Sequence, residues 1–350
     1  MTLSPPQLRI GPILLDFPVV QAALSGYSDW PTRVIARRLG APYTVAEVML
    51  DQFVVSVSQG PKARQYLRVT DEEHPCGAQL MGSAADAFVP AAINLAAAGF
   101  DVIDLNFACP VRKVLHRRRG GYLLSQPKTA LEIVARLRDA LPPHVPVTVK
   151  MRRGTDDTPQ SRDNFFAIFD GVFDLGVAAV TVHGRTVQQR YQGPSSWQFL
   201  REVKQHAGRR TVLGSGDLLT AQACLEMIAQ TGVDGVTAAR GAIGNPWIFP
   251  QARALAAGRL LPPPSLSEQR RVLAEHYRLA EETYGLRRCP HVMRKFGIKY
   301  SRLHPQAVQV RDAFVAARDA SQWWEVLEKW YAEDAPARFP PAGRGSTFLC

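Results

Sequence analysis

Short apolar or β-branched runs recur along the chain at residues 17–23, 43–47, 77–81, 102–106, 145–151, 179–183, 211–215 and 235–239. Gly, Pro or Asp bounds each run, as expected of buried strands ended by turns. Between them, residues 84–98, 127–140, 164–175 and 220–230 carry apolar side chains three and four positions apart, the period of a helix packed on one face. Eight such runs alternating with helices over about 240 residues predict an α/β fold, a (β/α)8 TIM barrel, because a doubly wound sheet usually has fewer strands. Polar residues collect where the runs end: Gln79, Asn106, Lys150, His183, Ser215 and Arg240. In a parallel barrel that is the face on which chemistry sits.

A break of three prolines, Pro262 to Pro264, separates this unit from a second helical pattern over residues 265–332. The expected organisation is a catalytic barrel at 1–260, an all-helical domain at 261–334 and a mobile Pro- and Arg-rich tail at 335–350. Within the helical domain, residues 285–311 contain Arg287, Arg288, Arg294, Lys295, Lys299, Arg302 and Arg311 but no acidic residue, with Phe296 and Tyr300 interleaved. That composition suits a nucleic-acid surface.

The whole chain agrees in sign. Its 350 residues carry a formal charge of +11, which favours polyanions such as nucleic acid, acidic membranes or phosphorylated ligands. A hydrophobic content of 46% supports a sizeable core, so the chain as a whole is not a disordered one. No apolar run approaches the roughly 18–20 residues of a membrane span, and no basic leader precedes the first apolar stretch. The five cysteines are odd in number and never close together, so neither a CxxC metal knuckle nor a disulfide framework is visible. A soluble, unprocessed, cytoplasmic protein is expected, and nothing in the sequence requires more than a monomer.

Small residues at Gly214-Ser215-Gly216-Asp217 and around Ala239-Arg240-Gly241 would let backbone amides approach an oxyanion, with Arg240 supplying a guanidinium fork. Either loop alone is explained by a tight turn; the pair after strands seven and eight favours a phosphate site. Lys150 follows a buried run, where an ammonium needs a partner, and could stabilise negative charge on a reduced cofactor. Its bland reading is a lysine reaching out to the barrel mouth. His183 and Arg185 pair an imidazole with a guanidinium at the end of strand six. Cys109 precedes Arg112, Lys113, Arg117, Arg118 and Arg119, which would lower its pKa if they lie close and would also grip a phosphate backbone. Such a thiol can act as nucleophile or acid, and spacing leaves both open.

These ordered motifs resemble the tRNA-dihydrouridine synthases, a family of flavin enzymes that reduce specific uridines. The resemblance covers residues 22–300: the opening loop AALSGYSDWPTR (22–33), QLMG (79–82), the segment from Ile103 to Val114 around Cys109-Pro110, VTVKMR (147–152), VHGRT (182–186) and GAIGNPWIF (241–249). It implies FMN at the barrel mouth, contacted by Ala23, Leu24, Ser25, Gln79, Lys150 and His183, with Ser215, Gly216, Asp217, Ala239 and Arg240 around its phosphate. It further implies hydride transfer to C6 of uracil, with Cys109 as the acid at C5 and NADPH as reductant. Asn106 and Arg185 would position the base, while Lys113, Arg117, Arg118, Arg294 and Lys295 would hold tRNA. The sequence departs from the family pattern in Ala108 for Gly, in Leu24-Ser25-Gly26 for the opening MAG, in Ser215 for Asn and in Ala239 for Gly. An FMN barrel acting on a free pyrimidine-like molecule is the alternative, and it leaves the basic segments without a purpose. A barrel that binds RNA without flavin is the third reading, motivated by Ser215 and Ala239.

Overall fold

A computed structural model describes residues 7–58, 60 and 63–339. Eight parallel strands close a barrel: β1 (Val19–Gln21), β2 (Thr44–Val45), β3 (Cys76–Met81), β4 (Val102–Phe107), β5 (Val147–Arg152), β6 (Ala179–His183), β7 (Val212–Ser215) and β8 (Gly235–Ala238). Each pairs with its chain neighbours, and β8 returns to β1. β3 and β4 are buried along their whole length, so even their polar positions, Gln79, Asp104 and Asn106, are shielded from solvent. β2 is interrupted after Val45 and resumes as Met49–Leu50, which also pairs with β3. Helices with side-chain caps fill the connections; Thr220, for example, accepts from Ala223 N at 3.1 Å to start Ala221–Thr231.

A small antiparallel hairpin, Leu8–Ile10 with Ile13–Leu15, precedes the barrel. It clusters with Val20, Tyr43, Val102 and Leu213 and closes the N-terminal end. The runs read from the sequence begin at residue 17, so this hairpin is not among them. The lower barrel is filled with side chains, and the cavity left beneath Gln79, Asp104 and Lys150 is only about 30 Å³. Ligands therefore meet the barrel at its C-terminal mouth.

The helical region comprises Leu266–Tyr300, Ala307–Ala316 and Ala320–Trp330. The first is two helical segments joined at Gly285, whose φ of +74° breaks the helix. Its core is shared with the barrel: Trp30, Val34 and Ile35 from helix Trp30–Arg38, together with Trp247, join Tyr277, Phe296, Tyr300 and Trp323. Two expectations from the sequence need correction. Lys299 and Arg302 are buried, and Arg302 donates to the Ile243 and Lys299 carbonyls, so the basic stretch is not one solvated face. Nor does the tail leave the fold at 335: Leu266 N donates to Ala335 O at 3.1 Å, Arg338 N to Leu303 O at 3.1 Å, and Phe339 packs on the helical core. The remainder of the expected tail, 340–350, lies outside the described residues. Among those described, no helix is long and apolar enough to cross a membrane.

Candidate active site

Strand alternation delivers the polar side chains to the mouth. Asp104 and Asn106 share one face of β4, as do Thr148, Lys150 and Arg152 on β5, because side chains two apart point the same way. Register then levels them: Gln79 pairs with Asp104, Asn106 with Lys150, Arg152 with His183, and His183 with Ser215.

A chain of hydrogen bonds crosses the first three strands of this layer. Asp104 accepts from Thr148 Oγ1 at 2.7 Å and from Gln79 Nε2 at 2.6 Å. Gln79 Oε1 accepts from Asn106 Nδ2 at 2.7 Å, and Asn106 Oδ1 accepts from the Ala108 and Cys109 amides, both at 3.0 Å. Asn106 thus caps the turn that carries Cys109, and its amide is engaged on both sides. Arg152 braces the same turn from β5, donating to Ala108 O at 2.9 Å and to the Thr186 and Arg190 carbonyls at 2.8 and 2.7 Å. Gly120 and Gly121 lie against it: Gly121 N donates to Cys109 O at 3.0 Å, and a Cβ on Gly120, at φ +59°, would come within 2.8 Å of Cys109 Cβ.

The half-buried Cys109 thiol is pushed above its ordinary pKa by burial, with Arg152 and the Val111 amide pulling weakly the other way. The expected lowering by the neighbouring cations does not occur. Arg112, Lys113, Arg117 and Arg118 point into solvent and exert no pull on the thiol. Cys109 is therefore a protonated thiol at neutral pH, suited to giving a proton and poorly suited to nucleophilic attack.

Lys150 donates to Ser215 Oγ at 3.1 Å, so the hydroxyl at this position keeps a partner for the ammonium. Burial brings Lys150 down to about 8, opposed by Asp104 and assisted by Arg152. Burial also raises the Asp104 carboxyl, against the bonds from Gln79 and Thr148. The half-buried His183 is held well below the usual histidine value by desolvation and by Lys150, Arg152, Arg185 and Arg240, so its ring is neutral. Arg185 Nη1 lies 3.3 Å from His183 Nε2. A guanidinium only donates, so Nε2 accepts and the ring proton sits on Nδ1.

Arg185 and Asp217 are tied to each other. Arg185 is 1% exposed, pairs with both Asp217 oxygens at 2.7 and 2.6 Å, and donates to the Gln192 and Gly193 carbonyls. Its nitrogens are engaged, so it reaches a substrate only through His183. Asp217, at φ +57°, also receives Ser195 N at 3.0 Å and Arg240 Nη2 at 3.3 Å. Two guanidiniums on one carboxylate leave the β7–β8 rim cationic, with Arg240 half-exposed beside Ala239 and Gly216 buried below Ser195. Ala23 and Leu24 are half-buried and Ser25 exposed in the loop after β1.

Away from the mouth layer, Arg294 is half-buried on the C-terminal helix. Lys295 does not face solvent as expected; it donates to Gly26 O in the loop after β1. Sequence reasoning misses Asp104, Arg152 and Glu47. Asp104 and Arg152 are legible in principle, lying two residues from Asn106 and Lys150 on the same strand faces. Glu47 gives no signal beyond its place at the end of a strand. Exposed Tyr191, 5.9 Å from both the Arg152 and Arg240 guanidiniums, gives none either.

The donor set fits an anionic, planar, phosphate-bearing cofactor. The half-buried Lys150 ammonium, with three N–H donors, has Ser215 Oγ as its hydrogen-bond partner, and the cationic rim after β7 and β8 lies on the same mouth. Residues 20–335 match the dihydrouridine synthase (Dus) family. The chain is 32% identical over 325 residues to a probable tRNA-dihydrouridine synthase of Rickettsia typhi, covering 93% of this chain and 97% of that one. It is 32% identical over 325 residues to tRNA-dihydrouridine synthase B of Shigella flexneri, covering 93% and 99%. In fold it is similar to histamine dehydrogenase from Rhizobium sp. 4-9, with a TM-score of 0.54 and 15% identity over 78% of this chain and 50% of the other. The eight-stranded barrel, the ordered mouth residues and this match across nearly the whole length lead to one assignment: the chain belongs to the dihydrouridine synthase family.

Proposed function

We propose that this protein reduces the 5,6 double bond of uridines in tRNA, with FMN as its bound flavin and NADPH as the reductant that recharges it. The observation that carries the reading is the placement of a protonated, half-buried Cys109 thiol at the same mouth as the half-buried Lys150 ammonium. Lys150 and Gln79 would hold the flavin ring system, and Arg240 with the Ser215-Gly216 backbone its phosphate. Once bound, the flavin supplies the hydride that adds to C6.

The protein's residues supply the remainder. Cys109 holds the proton destined for C5, and its raised pKa keeps that proton in place at neutral pH. Asn106 and Arg152 fix the turn from which the thiol acts. Neutral His183, oriented by Arg185, offers an Nδ1–H donor. The Lys150 ammonium favours negative charge on the ring it faces. A uridine must leave its stack to reach the mouth, and the exposed Lys113, Arg117 and Arg118 beside Cys109 suit the phosphate backbone on either side. These cations favour a nucleic acid over a free pyrimidine.

The test is mass mapping of dihydrouridine in tRNA from cells with and without the protein, paired with tRNA-dependent NADPH oxidation by purified enzyme. Loss of dihydrouridine at defined positions is expected. An unchanged map, with no oxidation in the presence of unmodified tRNA, would remove the assignment.

A further inference from the structure

The loop at 24–28, which follows β1 at the mouth, is held from two sides, the barrel and the C-terminal helix. Gly26 sits in it at φ +75°, and both of its backbone groups are engaged by charged side chains. Glu47 Oε2 accepts from Gly26 N at 2.5 Å, and Lys295 Nζ donates to Gly26 O. Glu47 comes from the interrupted second strand; Lys295 comes from the C-terminal helix. The ammonium also lies 4.9 Å from the ring centroids of both Tyr27 and Phe296, which meet edge to face at 5.7 Å.

The same helical region grips the end of the loop. Tyr284 Oη donates to Asp29 Oδ2 at 2.7 Å, while Asp29 Oδ1 caps helix Trp30–Arg38 through Thr32 N at 3.2 Å. Thr32 Oγ1 in turn lies 3.4 Å from His276. Lys295 is half-buried, and burial draws its ammonium below the usual lysine value while Asp29 and Glu47 pull it back. A lysine that reads an RNA backbone keeps its charge in water until phosphate arrives. This one is already committed to a carbonyl and two aromatic faces.

We propose that Lys295 is a positioning residue rather than an RNA contact: acting from the helical unit, it holds the 24–28 loop in place at the barrel mouth, so that loop and unit move as one body. The inference depends on the dihydrouridine reading only for what the loop covers.

Hydrogen–deuterium exchange on flavin-free protein tests it directly. The amides of Gly26, Tyr27 and Ser28 are all hydrogen-bonded, to Glu47 and to Leu24 O. Lys295→Met keeps the apolar stem over Tyr27 and Phe296 but removes the charged donor. Exchange at 26–28 should rise by about tenfold, the effect of losing one charge-assisted bond. Lys295→Arg, still a cationic donor, should recover at least part of the protection. Arg294→Met, one residue away, should leave 26–28 unchanged, and the tRNA affinity of Lys295→Met should stay within about twofold with the same salt slope. Unchanged exchange in Lys295→Met, an equal rise in Arg294→Met, or a shallower salt slope for tRNA binding by Lys295→Met would each overturn the proposal. Because exchange is read without flavin or tRNA, it stands or falls separately from the reaction assigned above.

Discussion

At the scale of single residues, the site works through protonation states set by burial. Replacing Cys109 with Ala removes the proton at the mouth and leaves the Lys150 and Arg240 positions intact. Product formation should fall by about 10²–10⁴-fold, the usual contribution of a positioned acid, with the flavin-to-protein absorbance ratio unchanged. Turnover close to wild type would take the thiol out of the reaction. Lys150 gives a second prediction. Its pKa is about 8 in the folded protein against 10.5 for an ordinary lysine, so between those values the unfolded chain binds a proton that the folded chain does not. Stability therefore rises with pH across that window, and Lys150→Met should abolish this part of the rise in denaturant melts between about pH 8 and pH 10.5. Identical pH dependence in both proteins would mean the ammonium is not desolvated. Residue type and strand position are enough to bring Cys109, Lys150 and His183 to one place, but not to say what each touches. Arg185 and Lys295 look like substrate-binding side chains in the sequence because a cation near a strand end or on a basic helix suggests one; a carboxylate and carbonyls contributed by distant segments claim both.

At the scale of elements, the mouth is built from loops that brace each other. The loop from Gly184 to Gly193 is held at Arg185 by Asp217, whose own amide follows β7, and at its carbonyls by Arg152 from β5. Asp217→Asn leaves a guanidinium that is 1% exposed without its counter-charge, so the protein should lose about 3–5 kcal/mol in chemical denaturation. A loss below about 1 kcal/mol would show that the Gln192 and Gly193 carbonyls suffice to hold Arg185. The eight barrel strands are legible in the sequence because they are largely buried on both faces and stand out as apolar or β-branched runs bounded by Gly, Pro or Asp. The N-terminal hairpin, Leu8–Ile10 with Ile13–Leu15, is not, because its strands are joined by a tight turn and have no intervening helix to set them in the strand–helix rhythm that marks the barrel. Residues 335–339 look like a free tail on composition, yet two backbone hydrogen bonds and Phe339 dock them; composition does not report which carbonyls a neighbouring helix leaves open.

At the scale of the whole molecule, the formal charge of +11 is not spread as the sequence suggests. Lys299 and Arg302 are buried and Lys295 is half-buried on the Gly26 carbonyl, joining the helical unit to the barrel, while the turn after Cys109 stays exposed and cationic. That turn carries Lys113, Arg117 and Arg118 in solvent, with Arg118 at φ +56° at its tip. Counterion release makes such side chains visible in the salt dependence of binding: removing one cation that neutralises a phosphate makes the slope of log affinity against log salt shallower by about one. Arg117→Glu combined with Arg118→Glu should therefore weaken tRNA binding and flatten the slope by about one to two, without changing flavin content or melting temperature. Arg302→Glu should do the reverse, because that guanidinium is buried on the Ile243 and Lys299 carbonyls: the fold should be destabilised while the slope of whatever remains folded is kept. If the double variant binds tRNA with the wild-type slope, the RNA backbone runs elsewhere, and the uridine must reach Cys109 from a direction that the basic turn does not guard.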